Sequence, residues 1–167
     1  HGKDAADIIA AAVPEIMGNF PWPKSMKSGR SSFRRVRPMS SILCLLDSKV
    51  VPFEVGGVAS GNQTQGHRRM GAGPFTVKDF AGYQNVLEGE GHVMIAADAR
   101  KAKILDAATA ACAKAGLELV DDPGLLDEVA GLAEWPVVIL GDMDPAFLEL
   151  PAEVIRLSMR AHQKYFA

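Results

Sequence analysis

Apolar positions fall first at helical spacing. After Asp4, whose carboxylate can cap a helix, Ile8, Ile9, Ala12, Val13, Ile16 and Met17 recur on one face, with Pro14 placed to kink the segment. Phe20 to Ser32, FPWPKSMKSGRSS, interrupts the period with Pro, Ser and Gly and predicts an ordered loop. ILCLL (42–46) and VVPFEVGGV (50–58) predict two strands joined by the short turn DSK, with Pro52 holding the second to an edge or a bulge. Thr76 and Asp79 have capping-box spacing ahead of Phe80, Tyr83 and Leu87, which mark one face of a short helix. Beyond GEG (89–91) the pattern becomes strand then helix, repeated. HVMIA (92–96) precedes a helix from Asp98 to Ala115 closed by Gly116, LELV (117–120) precedes a helix opened by Asp122-Pro123, and WPVVIL (135–140) precedes a helix starting near Pro151. The fold class expected is α+β, a mixed sheet with packed helices. It forms a single domain over 1–167, or most of one, with a basic loop region at 20–38 and a helix- and strand-rich part at 76–167.

Composition adds that no staple is needed: 48% of the 167 residues are apolar, enough to build a core. Cys44 and Cys112 lie far apart in apolar surroundings without metal-ligand spacing, and read as buried thiols in a reducing compartment. No apolar run approaches the roughly 20 residues of a membrane span, and no basic-then-apolar leader opens the chain. The expected location is therefore the cytoplasm, with no membrane partner. His1 without a preceding Met, and Ala167 directly after HQKYF, suggest a piece of a longer protein.

The net charge of -2 conceals polarity along the chain. Residues 1–103 carry 14 Lys and Arg against 9 Asp and Glu, whereas 104–167 carry 4 against 11. Pro21 to Pro38 holds Lys24, Lys27, Arg30, Arg34, Arg35 and Arg37 with no acid among them, a composition that attracts polyanions or simply makes a solvated face.

The sharpest candidate chemistry lies in SGNQTQGHRRMG (60–71), where His67, Arg68 and Arg69 follow glycines that allow close backbone approach. A histidine and two guanidiniums at such a turn suit phosphate or ribose contact, and would equally suit an exposed hairpin tip whose histidine bonds locally. No catalytic centre is legible. GEGH and GAG do not match a dinucleotide fingerprint, no Walker loop is present, and no nucleophile elbow anchors Ser-His-Asp chemistry. His67, His92 and His162 are scattered, so no metal site is expected. Asp127, Glu128 and Glu134 read as solvated helix charge rather than an acid/base pair. Trp22 and Trp135 each precede proline and are expected at the edge of a core, Trp22 having the alternative of a stacking platform beside Lys24 and Lys27.

Read in order, PWPKSMKSG, FRRVRP, VVPFEVGGVASGNQTQGHR, RKAKI, LLDEVAGLAEWPVVILGDMDPAFLELPAEV and SMRAHQKYF resemble the beta subunit of the bacterial heterotetrameric glycyl-tRNA synthetase. The resemblance covers nearly the whole chain and places it within the N-terminal half of a longer subunit. It implies that an alpha subunit carries the ATP, magnesium and glycine site, while the beta subunit supplies most tRNA recognition. Glycine tRNA, the alpha subunit and the remaining beta-subunit domains are then the partners. The implied role of this piece is tRNA binding and subunit architecture without an active site of its own. RNA-binding candidates are Lys24, Lys27, Arg30, Arg34, Arg35, Arg37, His67, Arg68 and Arg69. The alternatives are a purely structural assembly domain or an editing-type hydrolase. The last rests on similarity to the B3/B4 domain of the phenylalanyl enzyme, and glycine's small size makes it the weakest, since a small pocket excludes larger side chains by sterics. The pattern departs from that of relatives where an aromatic follows GHR, because Arg69 stands there, and where an aromatic follows RP, because the small residues of MSSI stand there.

Overall fold

The computed structural model of the chain describes residues 2–27 and 32–167. Its contacts gather into two units, His1–Gly91 and His92–Ala167, and together they give the expected α+β class.

The first unit opens with α1 (Ala5–Asn19), which Asp4 caps by accepting the Ala6 N–H at 3.0 Å, and which continues through Pro14 and lies against β6. β1 (Met26–Lys27) and β2 (Arg34–Arg35) then pair antiparallel. The segment expected as a loop thus contributes one strand of an antiparallel pair, with Met26 opposite Arg35 and Lys27 opposite Arg34. Next come β3 (Ile42–Leu43), β4 (Leu45–Leu46), β5 (Lys49–Val50), β6 (Glu54–Val55) and β7 (Val58–Gly61). β4 and β5 form the expected hairpin around Asp47 and Ser48, both at positive φ, the left-handed geometry of a tight two-residue turn.

Pro52 acts as its chemistry requires. The second strand stops at Val51–Phe53, and Ser60 bridges the break by accepting the Phe53 N–H at 2.9 Å while donating to the Val51 carbonyl at 2.6 Å. The chain re-enters a mixed sheet of order β3-β7-β6, parallel between β3 and β7 and antiparallel between β6 and β7. β8 (Gln63–Thr64) and β9 (Phe75–Thr76) pair next. α2 (Phe80–Glu88) is capped by Asp79, which accepts the Gly82 N–H at 2.7 Å, so the cap is Asp79 and not Thr76, whose backbone is engaged in β9. Val51, Val55, Val77 and Leu87 are the buried core of this unit.

The second unit is helical. α3 (Ala97–Ala115) buries Ile104, Ala108 and Cys112 at four-residue spacing, against α4 (Pro123–Leu132), which buries Leu125 and Ala130. Gly116 ends α3 in the left-handed region, and Asp122 caps α4 through the Leu125 N–H at 2.9 Å. A 3₁₀ turn (Pro145–Glu149) leads to α5 (Ala152–Ser158), which runs on as a single π-helical turn (Met159–Gln163).

The strands expected at HVMIA, LELV and WPVVIL are not there. No ladder forms there, and around 92–96 the backbone bonds go elsewhere. Met94 N–H reaches the Glu134 carbonyl at 2.9 Å, and Pro136 then offers no donor to continue the pairing. The Arg100 guanidinium occupies the carbonyls of Met94, Ile95 (2.9 Å) and Ala130 (2.8 Å). A buried carbonyl satisfied by a side chain no longer needs a neighbouring strand.

Candidate nucleic-acid interface

β8 and β9 carry the loop of residues 65–74 between them. Gly66 N–H donates to the Ala72 carbonyl at 3.2 Å and Gly71 N–H to the His67 carbonyl at 2.9 Å, closing a compact turn. Two further bonds fasten it beyond the end of α2: His67 N–H to the Gly91 carbonyl at 2.6 Å, and Ala72 N–H to the Glu90 carbonyl at 2.9 Å. The glycines serve this internal approach rather than an external one. A Cβ on Gly66 would stand 2.7 Å from Gly91 Cα, and one on Gly71 would meet the Gly91 carbonyl oxygen.

His67 is part of the same fastening. Its Nδ1 accepts from the backbone N–H of Arg69 at 3.2 Å and of Met70 at 3.1 Å, so in the neutral ring the hydrogen sits on Nε2. One ring nitrogen therefore shapes the turn, and the other is left as a donor. Arg68 and Arg69 stand exposed on this turn, with no ion pair among the described residues.

The second basic group divides. Lys24, Lys27 and Arg37 are exposed, and none is in an ion pair among the described residues. Arg34 is exposed but tied, its Nε donating to Ser25 Oγ at 3.1 Å and its Nη2 to the Ser25 carbonyl at 2.9 Å. Arg35 is half-buried, with Nη1 on the Met39 sulfur at 3.0 Å. Arg30 lies outside the described residues. The β1–β2 register sets Lys27 directly opposite Arg34, a like-charge pair that an anion would relieve.

The second unit shows the opposite arrangement. Lys101 pairs with Asp127 at 2.6 Å, Arg160 with Asp122 at 2.7 Å and Lys164 with Glu128 at 2.8 Å. The hydrogen bond and charge of Asp127 hold the Lys101 ammonium above its ordinary pKa. Lys103 Nζ sits 4.0 Å from the centre of the Trp135 ring, and the His92 ring meets the same indole edge-on at 5.1 Å. Asp127 and Glu128 are thus ion-pair partners, as befits solvated helix charge. Trp22 stacks on Phe20 with ring centres 4.4 Å apart, and its Nε1 is buried without a hydrogen-bond partner among the described residues. No group of three or more His, Cys, Asp or Glu among the described residues is placed to hold a metal, and no helix described is long and apolar enough to cross a membrane. Ser25, Met39 and Ser60 were not legible as functional supports, because each acts through a partner distant in sequence or through an ordinary turn.

These features define a class: a small α+β module in which, among the described residues, the first unit's cations form no ion pair, while the second unit pairs Lys101, Arg160 and Lys164 with carboxylates. The family model for the glycyl-tRNA synthetase beta subunit matches residues 1–167, and the chain belongs to that family. It is 59% identical over 167 residues to the glycine–tRNA ligase beta subunit of Phenylobacterium zucineum, covering 99% of this chain and 25% of the relative. It is 49% identical over 170 residues to that of a Ruegeria species and 50% over 165 residues to that of Nitratidesulfovibrio vulgaris. The chain spans about a quarter of the length of these curated relatives. They are subunits of an aminoacyl-tRNA synthetase, an enzyme of translation.

Proposed function

We propose that this chain contributes to tRNA binding and subunit architecture in a glycine–tRNA ligase, with ATP and magnesium used through an alpha subunit and the whole working in the cytoplasm. The observation that supports the reading is the pair Arg68 and Arg69, exposed and without an ion pair among the described residues, on a turn fixed by backbone bonds and by His67. Lys24, Lys27, Arg34 and Arg37 supply further exposed charge within the same unit. Such cations position an RNA backbone and read little sequence. The test is a titration with glycine tRNA transcript at two salt concentrations. Affinity should fall with salt, and Arg68→Ala with Arg69→Ala should weaken binding about tenfold and lower the salt slope by about two, at unchanged melting temperature. Binding that ignores salt, or a double variant that binds like the parent, would count against this role.

A second reading, assembly alone, is favoured by one observation. Between Leu132 and Tyr165 the second unit exposes Val137, Ile139 (84% accessible), Leu148 and Leu157, apolar side chains that a partner surface would cover. On that reading the double arginine variant loses subunit assembly and keeps whatever RNA affinity the parent has.

A further inference from the structure

One feature of the first unit is not explained by its packing. Arg35 is half-buried, yet among the described residues the partner its guanidinium finds is the Met39 sulfur, a weak acceptor at 3.0 Å. No carboxylate among the described residues forms an ion pair with Arg35 or with Arg37. A partly desolvated cation with a thioether for company is costly unless something else completes it. Both arginines line a cleft of about 60 Å³, together with Met26, Phe33, Met39 and Gly56. Gly56 keeps the cleft's shape. It sits at φ +61, and a Cβ there would stand 2.9 Å from the Phe33 ring.

We infer that this cleft is a subsite for one nucleotide of single-stranded RNA, its backbone phosphate between Arg35 and Arg37 and its base against the apolar wall of Met26, Phe33 and Met39. The inference deepens the tRNA-binding reading and rests on it. The chemistry is that of a phosphodiester beside a planar ring. Two guanidiniums offer forks that match phosphate oxygens, and thioethers and an aromatic ring accept any base by its face. The volume admits a phosphate group and one face of a base, not an engulfed nucleotide, which suits a passing strand rather than a free cofactor. Lys27 and Arg34 face each other on the opposite face of the same strand pair, so they add to the charge of this unit without lining the cleft. An acidic peptide would satisfy the arginines but would leave the apolar wall without a planar partner.

Met26 and Met39 are two of the chain's seven methionines, so their methyl groups report on the cleft directly. The 167-residue chain, labelled at methionine methyls, is titrated with a single-stranded RNA trinucleotide, with inorganic phosphate and with a glutamate-rich peptide at one ionic strength. The trinucleotide should move the Met26 and Met39 signals more than the other five, and phosphate at equal concentration should move them far less. Arg35→Gln should weaken trinucleotide binding about tenfold, the loss of one charged hydrogen-bonding contact. Should that variant fail to fold, Arg37→Gln changes an exposed residue and should give a similar loss with a dispersed spectrum. Equal response to phosphate would make this a plain anion site, response to the peptide would make it a protein-docking site, and no response would leave the cleft unused. Each overturns the inference. A tRNA transcript that binds through Arg68 and Arg69 while the methionines stay still would sink the cleft and leave the tRNA-binding reading standing. A transcript that does not bind while the trinucleotide does would do the reverse.

Discussion

A methyl group on Gly71 would fall on the Gly91 carbonyl oxygen and within 2.6 Å of the His67 nitrogen, both of them backbone atoms that cannot swing aside. Gly71→Ala is therefore expected to cost about 2 kcal/mol, in the range of other overpacked sites. Gly61, at the other end of the same stretch, has nothing within 4 Å of a would-be Cβ and no positive φ, so Gly61→Ala should stay within about 0.5 kcal/mol. Urea denaturation of the two variants checks the pair, and equal costs would refute the internal role of Gly71. This contrast marks the limit of what the sequence disclosed. The cluster of glycines beside His67, Arg68 and Arg69 was visible as a turn, and Arg68 and Arg69 are exposed on it. Which backbone the glycines approach was hidden, because Gly91 lies twenty residues on and its position depends on how α2 ends. His67 likewise showed its residue type but not that its Nδ1 is spent on two backbone N–H groups.

Helices were legible from capping chemistry, and the hairpin around Asp47 and Ser48 from its apolar runs, but the strands expected at 92–96, 117–120 and 135–140 are absent. Asp4, Asp79, Asp122 and Gly116 each mark a boundary by a local hydrogen bond or a local backbone conformation, which sequence neighbours alone determine. A strand needs a partner with free donors and acceptors, and around residues 92–96 that partner is replaced by Arg100. Changing Arg100 to Met would leave three carbonyls without their donor, and a loss of about 2–3 kcal/mol in unfolding free energy is expected. Arg100→Lys should recover little of it, since an ammonium lacks the planar fork that reaches Met94, Ile95 and Ala130 together. Thermal and urea unfolding of both variants decide the point. A lysine variant as stable as the parent would mean that charge, rather than geometry, holds this segment.

Across the molecule, charge and pairing go together. His1–Gly91 holds 11 Lys and Arg against 8 Asp and Glu, and His92–Ala167 holds 7 against 12. The excess matters less than its state, because the second unit's Lys101, Arg160 and Lys164 already have carboxylates. Arg160→Gln is accordingly expected to leave tRNA affinity within about twofold, whereas Lys24→Ala with Lys27→Ala should lower it as a loss of phosphate contacts does. Filter binding at a single salt concentration separates these outcomes, and equal losses would place the interface elsewhere. The polarity of the chain was plain in its sequence, but the pairing was not, since Asp122 and Arg160 lie in different elements and meet only after folding. The turn at 66–72 has one more consequence. Its backbone is bonded before any ligand arrives, so a docking strand meets a finished surface and gives up only its own freedom. Recognition there would spend no free energy on ordering the protein backbone, as a key meets a lock already cut.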